Sequence, residues 1–534
     1  MKQLLEKYEK HIRILMMFAL FAFTLKCFSL LLKQHFALIE HPYQVELREG
    51  ASLFQAKSWA EGVNPYLLEN QPWYADNFGL MYPLVAQPFI KLFGLNLFSM
   101  RLLSAIAIFL SMVLVFLALF RQKAGWVFSF AGTVIFYACV LYYVTPICRA
   151  DALATFFFVA SVILPVLFRF SNWVLLLSGI LAILSFYTKQ YGILGFPIIL
   201  AYMFLFVSMR KALIQALSFG ILLAVSMWWV ATIYPCYFYN TTASMAFATD
   251  NNFEYSWMQM ELMLFRYLPG LFFLVMGTFG LLFYEYRRAN TRIATASIVL
   301  NFKKFNSGLF ASNMNPYLFA FIVLFMLLLL KLGGNQGTFM SYHFQLLAFL
   351  WLIVAISFAA KPKGLPGLQI PLLAYAVFTS TTLITSTGFF KQADKAGWEK
   401  AIALIKENKQ VLNDQSLATE MMYAGKDTLY NTGLVEYFFR STVNENFNKT
   451  FPFTQKLIAQ GDAFKKLVRQ NVREKKFDVL LLNDENDWIV AGFPVNKYYT
   501  ITDSLYLDMY HTSQHWKIDV WKPIAEEASD TLVH

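Results

Sequence analysis

What most constrains this chain is a succession of apolar segments long enough to cross a bilayer. Within hydrocarbon every backbone N–H and C=O must find a partner inside the protein, so such segments are read as transmembrane helices. They fall near residues 14–32, 97–120, 126–145, 152–170, 173–188, 193–209, 213–235, 264–286, 316–331, 343–359 and 365–386. The expected fold is therefore a polytopic all-α membrane protein of about eleven spans. Composition agrees: 58% of residues are hydrophobic, only 14% are charged, and the mean hydropathy is +0.48. A soluble globular domain carries about 25% charged residues. The first span is too long, and too closely followed by others, to read as a cleaved signal peptide.

A net charge of +11 would suit nucleic acid if the cations formed one patch, but they sit at helix ends, so no nucleic-acid partner is expected. Their distribution predicts orientation instead. Lys2, Lys7, Lys10 and Arg13 precede the first span; alternate short loops then carry Arg121 and Lys123, Arg169, Arg210 and Lys211, the 287–304 cluster, and Lys361 and Lys363. By the positive-inside rule the N-terminus is cytoplasmic. The first long loop, 33–96, and residues 387–534 then lie on the outer side. The tail changes character after the last span. Helical spacing at 398–406 and 464–472, and strand-like runs at 477–482 and 516–521, predict a separate α/β domain over 387–534, beside a membrane domain over 1–386. Cys27, Cys139, Cys148 and Cys236 show no CxxC spacing and read as buried free thiols.

In so apolar a chain the 43–84 stretch stands out. It holds Glu46, Arg48, Glu49 and Asp76 among turn formers, with two short membrane-surface helices expected at Ala51–Ala60 and Leu80–Phe93. Other polar groups fall at outer helix ends: Arg149-Ala-Asp151, Lys189-Gln190, Arg266, and Gly333–Gly337 followed by Tyr342 and His343. An ionisable group at membrane depth costs about 2.5–3.5 kcal/mol, so such groups are paired, functional or both. Carboxylates beside cations suit displacement of a phosphate leaving group. Glu49 or Glu46, with Asp76, supplies a base for an attacking hydroxyl. Lys189, Arg149 and Arg266 hold the departing phosphate, and Asp151, Gln190, Tyr342 and His343 support them. One base and no paired nucleophile predicts inversion at the reacting carbon. Plainer roles stand beside these: solvation of a loop by Glu46 and Glu49, an Arg149–Asp151 salt bridge, and a snorkelling Lys189. Glu46, Glu49, Asp76, Asp151 and His343 are the set from which a divalent cation would draw ligands, although no spacing demands one.

The pattern Glu46-x-x-Glu49-Gly50, then Ala60-Glu-Gly62 and Asn64-Pro65-Tyr66, resembles the first outer loop of the GT-C superfamily of membrane glycosyltransferases. It is most similar to bacterial enzymes of the family 39/83 type, related to protein O-mannosyltransferases and the lipid A aminoarabinose transferase. Tyr74–Leu84, Arg149-Ala-Asp151 and Thr188-Lys189-Gln190 resemble further segments of those enzymes. The resemblance implies a bacterial inner-membrane enzyme that moves a sugar from a polyprenyl-phosphate donor to a glycan, lipid or protein acceptor, with the tail periplasmic. Two departures bear on the site. Relatives often carry Asp-Glu where this chain has Arg48-Glu49, which leaves the base open between Glu46 and Glu49. A double proline common near Pro83 is here Tyr82-Pro83. A transporter or flippase for a lipid-linked sugar, or a non-enzymatic envelope-assembly protein, remains the alternative. Transporters gather their polar groups near the midplane, whereas here they cluster in one loop and at outer helix ends.

Overall fold

The computed structural model describes residues 2–75, 77–121, 124–143, 147–243, 252–262, 369–386, 395–426, 453–483, 492–508 and 515–525, with isolated positions at 265, 269–270, 272–274, 276–277, 334 and 490. Helix dominates. The order is α1 Lys2–Glu40, α2 Glu49–Ala60, α3 Met81–Phe93, α4 Leu97–Arg121, α5 Trp126–Tyr143, α6 Asp151–Leu167, α7 Asn172–Thr188, α8 Gly195–Tyr202, α9 Met209–Ile233, α10 Phe253–Glu261 and α11 Gln369–Ser386. Among the described residues three helical stretches are long and apolar enough to cross a membrane: His11–Glu40, Leu97–Arg121 and Met209–Ile233. The apolar helices of α5, α6, α7 and α11 are shorter. The expected spans near 316–331 and 343–359, and most of 264–286, lie outside the described residues.

The expected span at 193–209 takes a different form. A 3-10 turn over Gln190–Leu194 leads into α8, and a π-helical turn over Met203–Val207 follows it. Gly192 accounts for the tight entry: a Cβ there would sit 2.1 Å from the Ser185 hydroxyl. The helix α9 turns an apolar face outward along Leu213, Leu217, Ile221, Val225 and Trp228. Leu217 is 67% exposed and Trp228 70%. An exposed apolar stripe of this length is matched by hydrocarbon and not by water, so the protein is a membrane protein. All four cysteines are free and buried.

The helices alternate in direction, so one end of the bundle gathers the C-terminal ends of α1 and α7 with the N-terminal ends of α4 and α6. The opposite end joins α4 to α6, where the Arg121 guanidinium donates to the Leu167 carbonyl and lies over the Phe168 ring. Across the first end lie α2 and α3, with the buried Tyr82 of α3 as a peg. Its hydroxyl donates to the Met100 carbonyl at 3.0 Å and contacts the Ser104 hydroxyl, which in turn donates to the carbonyl of Ile147. That chain of bonds ties the loop helices to α4 and to the lead-in of α6.

Over the same end sits a sheet of order β1-β2-β4-β3, built from Val411–Asn413, Val479–Leu482, Tyr499–Asp508 and His515–Pro523. The β1–β2 pair is parallel and the remaining pairs are antiparallel. Helix α12 (Lys395–Glu407) packs Trp398, Ala401 and Ile405 into one core with β2 and β4. The short α13 (Ala418–Tyr423) and the long α14 (Thr454–Arg473) complete the layer. In α14 the buried Leu457, Phe464 and Val468 follow helical spacing. This layer rests directly on the loop: Trp73 meets Phe464 edge to face at 4.5 Å between ring centroids.

Candidate functional site

Two buried ion-pair systems occupy the end of the bundle beneath the loop. Their chemistry differs. The first joins Glu49, the opening residue of α2, to Arg101 in the first turns of α4. Arg101 Nε donates to Glu49 Oε1 at 2.8 Å and Nη2 to Oε2 at 2.7 Å. The remaining guanidinium hydrogens go to the carbonyls of Leu38, His41 and Tyr43. Arginine has five N–H donors, and all five are used. The carboxylate is equally full, because the backbone N–H groups of Val45 and Cys148 donate to its two oxygens at 2.8 Å each. Neither side chain is exposed at all. Burial pushes the Glu49 carboxyl up, but the charge and hydrogen bonds of Arg101, with the two amides, outweigh it and hold the group below the usual range. Arg101 also occupies carbonyls left open at the C-terminal end of α1. The pair pins α1, α2, α4 and the Cys148 segment together, and its saturation leaves no lone pair for a substrate proton.

The second system is a chain: Glu46, Arg149, Asp151, Lys189. Arg149 Nη1 lies 3.2 Å from Glu46 Oε1 and Nε lies 3.1 Å from Asp151 Oδ2. Lys189 Nζ donates to Asp151 Oδ1 at 2.5 Å. All four are at most 6% exposed. The other oxygen of Glu46 accepts the Arg48 backbone N–H. The half-buried Arg48 is close enough for its charge to act on Lys189. Burial lowers the Lys189 ammonium from its ordinary value and Asp151 opposes the change, while Arg149 and Arg48 push it further down. Rings cover the cations: Arg149 lies over Phe78 and Lys189 over Tyr191, each 5.9 Å from the centroid.

Local structure explains how these residues meet. Asp151 opens α6, where a carboxylate favours the positive end of the helix. Lys189 follows the last residue of α7 in an extended conformation, which turns it toward α6. The loop can reach them because residue 79 is glycine. A Cβ there would stand 2.0 Å from the Tyr187 carbonyl oxygen and 2.8 Å from that of Thr188.

Of the expected site residues, the structure brings Glu46, Arg149, Asp151 and Lys189 into one cluster and sends Glu49 to a separate pair with Arg101. Gln190 points elsewhere, its amide donating to the Thr241 carbonyl at 3.0 Å. Asp76, Arg266, Tyr342 and His343 lie outside the described residues. Among the described residues no three His, Cys, Asp or Glu side chains gather into a metal-holding group. Sequence reasoning gave Arg101 and Arg48 no role in the site. Arg101 had one available signal: an arginine inside an apolar helix requires a buried acid.

The fold is of the GT-C type, a bundle of membrane helices carrying a loop of surface helices and a C-terminal layer above it. Two solved structures share it. ArnT from Cupriavidus metallidurans in the apo state superposes with a TM-score of 0.57 at 10% identity, over 93% of this chain and 97% of that one. The same enzyme bound to undecaprenyl phosphate gives 0.56 at 11% identity, over 94% and 98%. At such identities the likeness is one of fold. No family model matches the chain, and no curated protein matches it in sequence.

Proposed function

We propose that this protein is an inverting glycosyltransferase that takes a sugar from a polyprenyl-phosphate donor. It would span a bacterial inner membrane eleven times with its N-terminus in the cytoplasm. Residues 1–386 form its membrane domain, and 387–534 form a periplasmic domain over the site. The acceptor is a hydroxyl of a glycan, lipid or protein. The observation that carries the reading is the buried Glu46–Arg149–Asp151–Lys189 chain, which gathers two cations at the end of the bundle beneath the loop. Arginine and lysine held side by side suit the charge of a phosphate diester. The undecaprenyl phosphate carried by the fold relative supports the same choice of donor.

In the reaction the acceptor oxygen bonds to the anomeric carbon as the bond from that carbon to the phosphate oxygen breaks. The electron pair leaves with the polyprenyl phosphate, and the hydroxyl proton passes to a carboxylate. Glu46 is that base, because Glu49 has every oxygen position occupied. Lys189, Arg149 and Arg48 stabilise the charge that grows on the leaving phosphate.

Native mass spectrometry of the solubilised protein with added undecaprenyl phosphate and undecaprenyl phosphosugars tests this. Wild type and Glu46→Gln should both retain the lipid, while transfer falls about 10²–10⁴-fold in Glu46→Gln, the usual contribution of a general base. A wild-type protein that holds only bulk phospholipid would refute the transferase reading.

A further inference from the structure

The loop bearing Glu46 is held from above as well as from below. Gln44 is fully buried, and its Oε1 accepts two bonds from α13: the Thr419 N–H at 2.9 Å and the Thr419 hydroxyl at 2.6 Å. The amide nitrogen of the same side chain faces the carbonyls of Glu46 and Leu47, at 3.5 and 3.4 Å. One side chain thus links the C-terminal layer to the backbone of the base. Gly50 makes the approach possible, since a Cβ at that position would lie 2.4 Å from Gln44 Oε1 and 2.8 Å from Ala418 Cβ. Tyr43 stacks on Trp398 of α12, with ring planes 2° apart and centroids at 5.0 Å. The Leu97 N–H at the head of α4 donates to the Tyr423 hydroxyl at 2.9 Å. The C-terminal layer therefore grips both segments that the Glu49–Arg101 pair joins.

We propose that Gln44 and Thr419 are positioning residues through which the C-terminal layer sets the working conformation of the Glu46 loop. Neither touches the reacting atoms. Docking of the layer and placement of the base become one event, and a loop freed from Thr419 would still bind donor while presenting Glu46 badly. This rests on the transferase reading for its functional half only; the mechanical half stands on the contacts themselves.

The test is hydrogen exchange on the full-length protein in detergent, read over residues 43–50, for wild type, Gln44→Leu, Thr419→Val, the double variant and Thr419→Ser. Losing a hydrogen bond of this kind should speed exchange of the loop by about three- to tenfold. The double variant should add little beyond Gln44→Leu, because the two residues act as a unit, and Thr419→Ser should return exchange to the wild-type rate. In parallel, kcat should fall with Thr419→Val while undecaprenyl phosphate binding holds. An unchanged loop in both single variants overturns the proposal, as does a loosened loop with unaltered transfer. A wild-type protein that transfers no sugar would sink the transferase reading alone, and the exchange arm would still decide whether the layer sets the loop.

Discussion

Glu420 of α13 offers the sharpest test of how the C-terminal layer docks. It is 4% exposed, and both carboxylate oxygens are buried with no hydrogen-bond partner. Burial above all raises its pKa to about 8, against a smaller downward pull from its own backbone N–H, with Glu49 then pushing up and Arg101 down. Tyr43 and Tyr423 are its other titratable neighbours. A carboxyl whose folded pKa is raised destabilises the folded state as pH climbs: the released chain ionises from its ordinary 4.5 upward, whereas the docked group stays protonated to about 8. The penalty grows by about 1.4 kcal/mol per pH unit across that window and then levels off, reaching roughly 5 kcal/mol. Glu420→Gln keeps the shape and cannot ionise. Its own burial cost is independent of pH and drops out of the comparison. Thermal unfolding of the two proteins in detergent at pH 5, 6, 7 and 8 should show melting temperatures that diverge by about 1–2 °C per pH unit, in the variant's favour as pH rises. Parallel pH profiles for wild type and variant would refute the reasoning, because they would mean that Glu420 ionises equally in both states.

Three further outcomes follow from the site. Glu49→Gln should act on the fold and not only on turnover: breaking a buried pair costs about 3–5 kcal/mol, visible as lower yield and melting temperature. A variant that folds normally and loses only catalysis would reinstate Glu49 as the base. Lys189→Ala should weaken undecaprenyl phosphate binding by about ten- to a hundredfold, and wild-type binding should fade with rising pH below the 10.5 of an ordinary lysine, because burial holds the ammonium down; lipid titrations at several pH values check both. Gly79→Ala must separate the loop from the end of α7 and should cost about 3 kcal/mol, read as a drop in melting temperature.

Much of the architecture was legible because it is written locally. Apolar length marks the helices at 97–121, 126–143 and 209–233 within a few residues and the strand at 479–482; helical spacing marks α12, alternation the strand at 515–523, and the surface loop's composition α2 and α3. The break at 190–207 was not legible, since Gly192 acts through a contact with Ser185 that a window of hydropathy does not register. Within the site, Arg149-Ala-Asp151 and Lys189 could be picked out singly as ionisable groups at helix ends. Their convergence depends on α6 and α7 packing side by side. The Glu49–Arg101 pair spans 52 positions, and the Gln44–Thr419 link spans 375. No local pattern reports partners so far apart.

That separation explains why charge at membrane depth misleads when residues are taken one at a time. Glu46 and Glu49 stand three positions apart in one loop, and from spacing both serve equally as a base. The distinction lies in what surrounds each. Around Glu49 the donors and acceptors close: five guanidinium hydrogens and two amides meet oxygens, charges cancel, and the pair resembles a rivet in the frame. Around Glu46 the pattern is a chain and not a closed pair: Oε2 accepts the Arg48 N–H, Oε1 faces Arg149 at 3.2 Å, and the chain runs on through Asp151 to Lys189. A chain of buried ions is costly to desolvate, and on the transferase reading the donor phosphate adds an anion beside Lys189 and Arg149. The frame can afford such a cluster because the saturated pair beside it, and the C-terminal layer above, hold the loop in place without the ligand. On this reasoning the stability of the bundle resides in Glu49–Arg101 and affinity for phosphate in the Lys189 chain, so substitutions in the two should separate folding from binding.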